Sequence, residues 1–337
     1  MTTFEELRHR LSLPVIAAPM FLVSNPAVAL AACREGIVGT FPAHTARNTD
    51  ILAEWLRTME DGMRRLEDEG ARPAPFAVNL VVHRSNPRLA GDLELVIRHR
   101  VPIVLTSKGA PGDVFARVHE YGGFIMHDVA SRRHAEKAIE AGADGLIAVA
   151  GGAGGHCGTI NPFALVNEIR QIFAGPIVLA GAITTGRDVL AAQVMGADLV
   201  YIGTRFINTH ESSAPAAYKE MICQAVATDI FFTTALDGAP ANFLAPSLRA
   251  AGIDLDTLRR AAPGEIIAAE ESKKRWKDVW SAGHGVGSVN DVISVHELCQ
   301  RLKLEYLAAQ QEVSRLVARP PQVVAASFAQ GWQPPLD

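Results

Sequence analysis

Short apolar runs recur eight times in the first 205 residues, and each is followed by a turn and a stretch with helical character. The runs are residues 14–18, 37–41, 76–81, 103–106, 124–127, 145–150, 177–180 and 199–202. They are nearly continuous in Val, Ile, Leu and Ala, which is typical of parallel strands covered on both faces. Eight such units predict an α/β fold whose strands close into a (β/α)8 TIM barrel.

Two junctions between a helix and the following strand are nearly identical. The sequences AGAD at 141–144 and MGAD at 195–198 each end a predicted helix and lead directly into an apolar run. The glycine is expected to take the left-handed conformation that ends a helix. This repetition supports the barrel and indicates no particular activity.

The alternation of strands and helices stops after residue 206. Helices alone are predicted in the next segment, at 215–228, 246–250, 254–261 and 265–277, and a last amphipathic helix at 292–317 should pack on the barrel. The predicted domains are therefore a barrel formed by 1–208 and 284–337, and a helical insertion, 209–283, that caps the barrel mouth. The apolar residues Phe231, Phe232, Phe243 and Leu244 of this insertion suit either a pocket wall or a homodimer surface.

Charge, hydropathy and cysteine content exclude several classes of protein. The net charge is -4 and 20% of the residues are charged, without the basic excess of a nucleic-acid binder. No run approaches the roughly 20 apolar residues that span a bilayer, and the N-terminus lacks the apolar segment of a signal peptide. The four cysteines show no CxxC spacing, which argues against a zinc site and favours a cytoplasmic location.

The loop after the sixth run is the most informative part of the sequence. In a TIM barrel the active site lies at the C-terminal ends of the strands. Residues 151–158 contain five glycines, which allow the backbone to approach a bound group closely, and one histidine, His156. A histidine in such a loop has few side chains to pack against, which favours an acid or base role over a core role.

The loops after the seventh and eighth runs have the features of a phosphate site. Gly181, Gly203 and Thr204 would offer backbone N–H groups at the last two strands, where barrels often bind phosphate. Ordinary tight turns explain the same residues when these loops are considered alone.

Taken together, the loop motifs resemble those of the nitronate monooxygenase family. The motifs are APM at 18–20, Asn79, AGGAGGHCG at 150–158, AGAIT at 180–184 and YIGTRF at 201–206. The resemblance runs in order from about residue 14 to 206 and continues weakly through 280–283. It implies an FMN-dependent oxidoreductase, and the relatives include enoyl-ACP reductases and NADH:quinone reductases built on the same barrel.

The resemblance also implies which residues bind the flavin. His156 would face the substrate as the catalytic base. FMN would be held by Ala18, Pro19, Met20, Asn79, Asp128, Val149, Gly154, Gly155, Ala180, Gly181, Gly203, Thr204, Trp280 and Ser281. His44, His127 and His284 are further candidates for contact with the flavin or substrate.

This chain departs from the family at four of these loop positions. Relatives often have Gln at the position of Val149, Glu at that of Gly152 and a second glycine at that of Ala182. Some quinone reductases have a lysine where this chain has Asp128. A lysine there would favour an anionic reduced flavin, and an aspartate would disfavour it.

The implied reaction is oxidation of a nitroalkane or its nitronate with dioxygen, in which His156 removes the acidic α-proton. An NADH-dependent FMN reductase acting on a quinone or enoyl thioester is the first alternative. A flavin-free lyase or isomerase of a sugar phosphate and a non-enzymatic scaffold are the others.

Overall fold

The structure is a computed structural model that describes residues 3–109, 112–236, 238–262, 264–267 and 278–318. The strands are β1 Val15–Ala17, β2 Gly39–Pro42, β3 Phe76–Val81, β4 Ile103–Ser107, β5 Phe124–Val129, β6 Gly145–Val149, β7 Gly155–His156, β8 Ile177–Ala180, β9 Leu199–Ile202, β10 Ile230–Thr233 and β11 Ala241–Leu244. The helices are α1 Phe4–His9, α2 Pro26–Arg34, α3 Thr49–Asp68, α4 Leu89–Arg98, α5 Val114–Glu120, α6 Arg132–Glu140, α7 Pro162–Arg170, α8 Gly186–Val194, α9 Thr204–Ile207, α10 Ala216–Gln224, α11 Ala245–Ala250, α12 Leu255–Arg260 and α13 Val295–Val317.

Eight parallel strands form a closed barrel, as the sequence predicts. Their order is β1-β9-β8-β6-β5-β4-β3-β2. A bridge between Ile16 and Val38 joins the two ends of this sheet, and the Val38 backbone N–H donates to the Val15 carbonyl at 3.0 Å. The (β/α)8 prediction is therefore confirmed.

The barrel interior is built in layers. Side chains alternate between the interior and the helix shell along each strand, and barrel closure staggers neighbouring strands so that alternate strands share a layer. Following the strand register around the barrel, we define the floor layer as Ala18, Asn79, Asp128 and Ala180. The rim layer lies above it and consists of Pro42, Ser107, Val149 and Gly203. One contact between the layers is a 3.2 Å hydrogen bond from Asn79 Nδ2 to Ser107 Oγ.

The first and last described helices complete the barrel. Leu7 of α1 is buried among the interior residues Ile16, Ile103 and Leu199, so α1 closes the end opposite the mouth. Helix α13 packs against α8 and α2, and therefore takes the place of the eighth helix in the shell. It begins at Val295, because Ser294 caps it, rather than at the predicted residue 292.

The two repeated junctions end helices as predicted and also join neighbouring strands. Gly142 and Gly196 have φ values of 90° and 103°. Each following aspartate then makes two bonds to one residue of the preceding strand. The Asp198 N–H donates to the Ile177 carbonyl at 2.7 Å, and its carboxylate accepts from the Ile177 N–H at 2.8 Å. Asp144 bonds Ile125 in the same way.

The prediction of a purely helical insertion is wrong. Strands β10 and β11 pair antiparallel within it, and β11 also pairs with β7 from the glycine-rich loop. The aromatic and β-branched run at 230–233 favours a strand, but the run is short and gives a weak signal. Helix α10 ends at Gln224 instead of residue 228. Residues 264–267 are not helical, and the rest of the predicted helix at 265–277 lies outside the described residues.

The apolar side chains of the insertion are used for packing. Phe231 and Phe243 are buried in a cluster within the insertion, Leu244 is buried in a cluster that includes Val23 and Ile207 of the barrel, and Phe232 is 45% exposed. The first two residues therefore hold the insertion together, Leu244 joins it to the barrel, and the homodimer stays a prediction. Within the described part of the chain, no helix is both long and apolar enough to cross a bilayer.

We predict that Asp198→Ala destabilises the fold by about 1–3 kcal/mol, because the Ile177 N–H and the Arg170 guanidinium, 2.7 Å from the carboxylate, both lose their acceptor. Urea unfolding measures the change. Asp61→Ala is the matched control, since Asp61 forms an exposed pair with Arg64 and should cost less than about 0.5 kcal/mol. Equal losses in the two variants would contradict this role for Asp198.

Candidate active site

The floor and rim layers bring six of the predicted flavin-binding residues together at the barrel mouth. Ala18, Asn79, Asp128 and Ala180 form the floor layer, and Val149 and Gly203 belong to the rim layer above it. Met20 lies beside Gly203, because a Cβ built on that glycine would be 3.6 Å from the Met20 sulfur. These residues come from six different strands or strand ends, so only barrel closure makes them neighbours.

Two buried polar atoms at this floor have no hydrogen-bonding partner among the described residues. They are Asp128 Oδ1 and the Tyr201 hydroxyl, which lies in the layer directly beneath the floor. Burial raises the pKa of Asp128 to about 7. Burial and the nearby Asp128 charge raise the pKa of Tyr201 well above 10. Because unpartnered buried polar atoms are rare, these two atoms are candidates for contact with a bound polar group.

His127 does not reach the pocket, contrary to one of the possibilities raised by the sequence. It alternates with Asp128 along β5 and therefore points into the helix shell, where its ring meets Phe115 edge-on at 5.8 Å between centroids. Its Nδ1 is 2.8 Å from Thr106 Oγ1. Burial, with a smaller effect of the His134 charge, lowers the pKa of His127 to about 4. A neutral, buried His127 cannot offset a charge on Asp128.

The glycine-rich loop is anchored to the insertion. Residues 155 and 156 form β7, which pairs with β11, and Asn242 Nδ2 donates to the Ala153 carbonyl at 2.7 Å. The Cys157 N–H donates to the Pro240 carbonyl at 3.0 Å. His156 is exposed and Cys157 is buried, so the two side chains point apart and form no dyad. The insertion thereby fixes the position of His156.

Two glycines of the loop differ in their surroundings. Gly154 is closely packed, whereas Gly155 faces open space. A Cβ on Gly154 would be 2.8 Å from the backbone of Ala282 and Gly283, so this glycine allows two loops to pack together. Gly155 has a φ of 66°, and nothing lies within 4 Å of the position its Cβ would take. The open side of Gly155 is therefore available for the approach of a ligand.

The predicted phosphate residues lie around the segment that returns from the insertion. Thr204 Oγ1 accepts a 2.9 Å hydrogen bond from the Gly283 N–H, which leaves its own O–H to donate. The His284 N–H donates to the Gly152 carbonyl at 2.9 Å, which places this exposed histidine beside the β6 and β8 loops. Gly181 has a φ of 134° and Ala182 a φ of 57°. The left-handed Ala182 explains why glycine would be the less strained residue there.

Trp280 and Ser281 are held by α10. The Trp280 ring stacks on Tyr218 with centroids 4.9 Å apart, and the Tyr218 hydroxyl donates to the Ser281 carbonyl. Trp280 packs on the same apolar cluster as Met20. The insertion therefore places these two residues at the side of the mouth where Met20 and Gly203 lie.

Lys108 was assigned no function from sequence, yet its side chain contacts the candidate base. Its Nζ lies 2.8 Å from His156 Nε2. Lys108 follows β4 with a φ of 54°, a conformation that costs about 1–2 kcal/mol for a residue with a Cβ. Strain of this kind often marks functional sites. A lysine directly after a barrel strand was the signal that could have identified it.

His44 belongs to the same side of the mouth. Its ring stacks on the exposed Phe21 with centroids 4.8 Å apart. Burial, followed by the charges of Arg88 and Lys108, lowers the pKa of His44 to about 4. Its buried Nδ1 has no partner among the described residues. Because the Lys108 charge acts on this neutral ring, His44, Lys108 and His156 lie on one side of the mouth.

Arg205 of the YIGTRF motif has a structural role. Its side chain is 3% exposed and lies 2.5 Å from Asp291, which also bonds Arg301 of α13 at 2.7 Å. The motif thus joins the end of β9 to the last helix. No group of three or more His, Cys, Asp or Glu side chains in the described ranges could hold a metal ion.

Comparisons with known proteins identify the family of this chain. The chain matches the family model described as nitronate monooxygenase over residues 77–305, more than half of its length. It belongs to the nitronate monooxygenase family. A nitronate monooxygenase of Paraburkholderia phytofirmans is 27% identical over 287 residues, which cover 72% of this chain and 76% of that protein.

Other relatives carry different names. A (3aS,4S,5R,7aS)-5-hydroxy-7a-methyl-1-oxo-octahydro-1H-indene-4-carboxyl-CoA dehydrogenase of Mycobacterium tuberculosis is 29% identical over 239 residues, or 70% of this chain. The chain spans 64% of that relative, less than two thirds of its length. The structure of FabK from Thermotoga maritima superposes with a TM-score of 0.76 and 26% identity, over 94% of this chain and 99% of that one. The family and barrel predictions are thus confirmed.

We predict that Asp128 makes the protein less stable as the pH rises. Its pKa is about 7 in the folded chain against an ordinary 3.8, so the folded state retains a proton that the unfolded chain releases. The resulting loss of stability accumulates between about pH 4 and 7 and should reach roughly 2–3 kcal/mol between pH 5 and 8. Denaturant unfolding of the apoprotein at both pH values measures it.

Asp128→Asn should abolish this difference, and Asp256→Asn is the control, because Asp256 is exposed and pairs with Arg259 at the protein surface. The control should retain the wild-type loss of stability. If the wild type and Asp128→Asn lose the same amount, Asp128 is ionised in the folded chain and the assignment is wrong.

Proposed function

We propose that the chain is an FMN-dependent nitronate monooxygenase that oxidises alkyl nitronates and nitroalkanes with dioxygen. The observation that carries the proposal is the contact of Lys108 with His156, 2.8 Å apart, at the mouth of a barrel of this family. The two side chains would offer a positive charge and an imidazole to an anionic nitronate.

The residues at the mouth suit an FMN group. The unpartnered Asp128 and Tyr201 atoms and Asn79 offer hydrogen bonds at the floor, and the open side of Gly155 admits a flat ring. Gly181, Gly203 and Thr204 would hold the phosphate, and Met20 and Trp280 would flank the ring. When bound, FMN would supply the redox chemistry, by which electrons pass from the substrate to dioxygen.

Lys108 and His156 would bind the nitronate as a unit. An ammonium can only donate, so Nε2 of a neutral His156 accepts from Lys108 and its Nδ1 carries the proton. The ammonium would attract the nitronate oxygens, and the imidazole would hold it in place. This arrangement stabilises an anion without any proton transfer by the protein.

A neutral nitroalkane must first lose its α-proton, so the same two side chains would act differently on it. Nε2 of His156 is the atom that would take the α-proton. The ammonium must first withdraw from Nε2, because an imidazolium beside it would place two positive charges within hydrogen-bonding distance. The base role therefore applies to the nitroalkane, and the anion-binding role applies to both substrates.

We predict that His156→Asn lowers turnover of a neutral nitroalkane by about 100-fold or more, since general base catalysis contributes that much. Turnover of the preformed nitronate should fall by less than about tenfold, because no proton is removed. Steady-state oxygen consumption with the nitroalkane and its nitronate, both at saturating concentration, measures the two effects. His134→Asn, on the exposed face of α6, is the matched control and should change neither rate.

Lys108→Gln should raise KM for the nitronate by about tenfold or more and leave kcat nearly unchanged, because the lost charge contributes to binding. An equal loss on both substrates in His156→Asn would exclude the base role. An unchanged KM in Lys108→Gln would exclude nitronate binding by this lysine.

A second candidate is a flavin-dependent oxidoreductase that uses NADH or acts on a thioester. It is favoured by the dehydrogenase relative, whose name specifies a carboxyl-CoA substrate, and by the similarity to FabK. The cationic Lys108 and the exposed Phe21, 52% accessible, would also suit an amphipathic anion. The electron donor distinguishes the two candidates.

A further inference from the structure

Asp128 lies on the floor of the proposed cofactor site with no group to balance its charge. Its Oδ1 is fully buried and makes no hydrogen bond to the described residues. A carboxylate in such surroundings loses its hydration without gaining a donor, so the neutral acid is favoured.

The layers of the barrel define which side chains surround Asp128. Its floor-layer neighbours are Ala18, Asn79 and Ala180, and the rim residues nearest along the sheet on β4 and β6 are Ser107 and Val149. None of these side chains titrates. His127 points into the helix shell.

The one titratable group in the adjoining layer below is Tyr201, on β9. Its hydroxyl is buried, and the raised pKa keeps it neutral. No cation lies in the floor layer, in the rim layer or at Tyr201, so nothing at these described positions would favour an ionised Asp128.

We propose that FMN binding by this chain is proton-linked, because Asp128 must carry a proton when the flavin covers it. The inference rests on the proposed function, in that it takes FMN to be the cofactor. The part of Asp128 that remains accessible faces the mouth, and a bound ring would remove that accessibility and raise the cost of charge further. A protonated carboxyl can donate to an acceptor on the ring, whereas a carboxylate cannot.

The protonation state of Asp128 decides what the floor offers to a flavin. Asp128 contributes either a neutral donor or a negative charge. The affinity for flavin should therefore fall at the pH where this carboxyl ionises, which burial places near pH 7.

The test is titration of the apoprotein with FMN, followed by flavin fluorescence, between pH 6 and 9. For the wild type we expect Kd to rise above about pH 7 with a slope approaching tenfold per pH unit, the limit for uptake of one proton. Asp128→Asn mimics the protonated acid and should bind FMN with a nearly constant Kd. Asp256→Asn should follow the wild type. Riboflavin, which lacks the phosphate, should give the same contrast and excludes titration of the phosphate as its source.

Calorimetry in two buffers of different ionisation enthalpy provides a second measurement that needs no variant. At pH 8 the wild type should take up close to one proton for each FMN bound. Absence of proton uptake, or parallel pH profiles for the wild type and Asp128→Asn, would overturn the inference and leave the proposed function intact. Failure of the wild type to bind FMN at every pH would overturn both.

Discussion

Closure of the eight strands into a barrel is the constraint on which the site depends. Because closure staggers the strands, inward side chains from alternate strands share a layer, and residues far apart in sequence meet at the mouth. Asn79 and Asp128 become neighbours of Ala18 and Ala180 only in this way. The same alternation directs His127 away from the pocket. A shift of one residue in β5 would exchange the positions of His127 and Asp128.

The insertion turns this barrel mouth into a defined site. Its strand β11 pairs with the glycine-rich loop. Its returning segment packs against Gly154 and donates the Gly283 N–H to Thr204 Oγ1. The loop that carries His156 is therefore held by hydrogen bonds from outside the barrel. A fixed His156 can contact Lys108, which is itself held in a strained conformation after β4. The insertion and the barrel together determine the geometry at the mouth.

Most of the barrel and several site positions could be predicted from the sequence, because eight buried runs and their following loops are local patterns. The sequence did not reveal the strand pair at 230–233 and 241–244, since four-residue strands give little periodicity and the glycine loop supplies part of the pairing. The contact of Lys108 with His156 depends on a backbone angle and on the position of a distant loop. The isolation of Asp128 depends on residues of six other strands. Such features follow from packing and cannot be read from spacing.

The most direct test of the proposed function is anaerobic mixing of the FMN-loaded protein with an alkyl nitronate or with NADH, followed by the visible flavin absorbance. We expect the nitronate to bleach the flavin rapidly and NADH to leave it oxidised. Bleaching by NADH, with no response to the nitronate, would contradict the proposal and assign the chain to the reductases of its family.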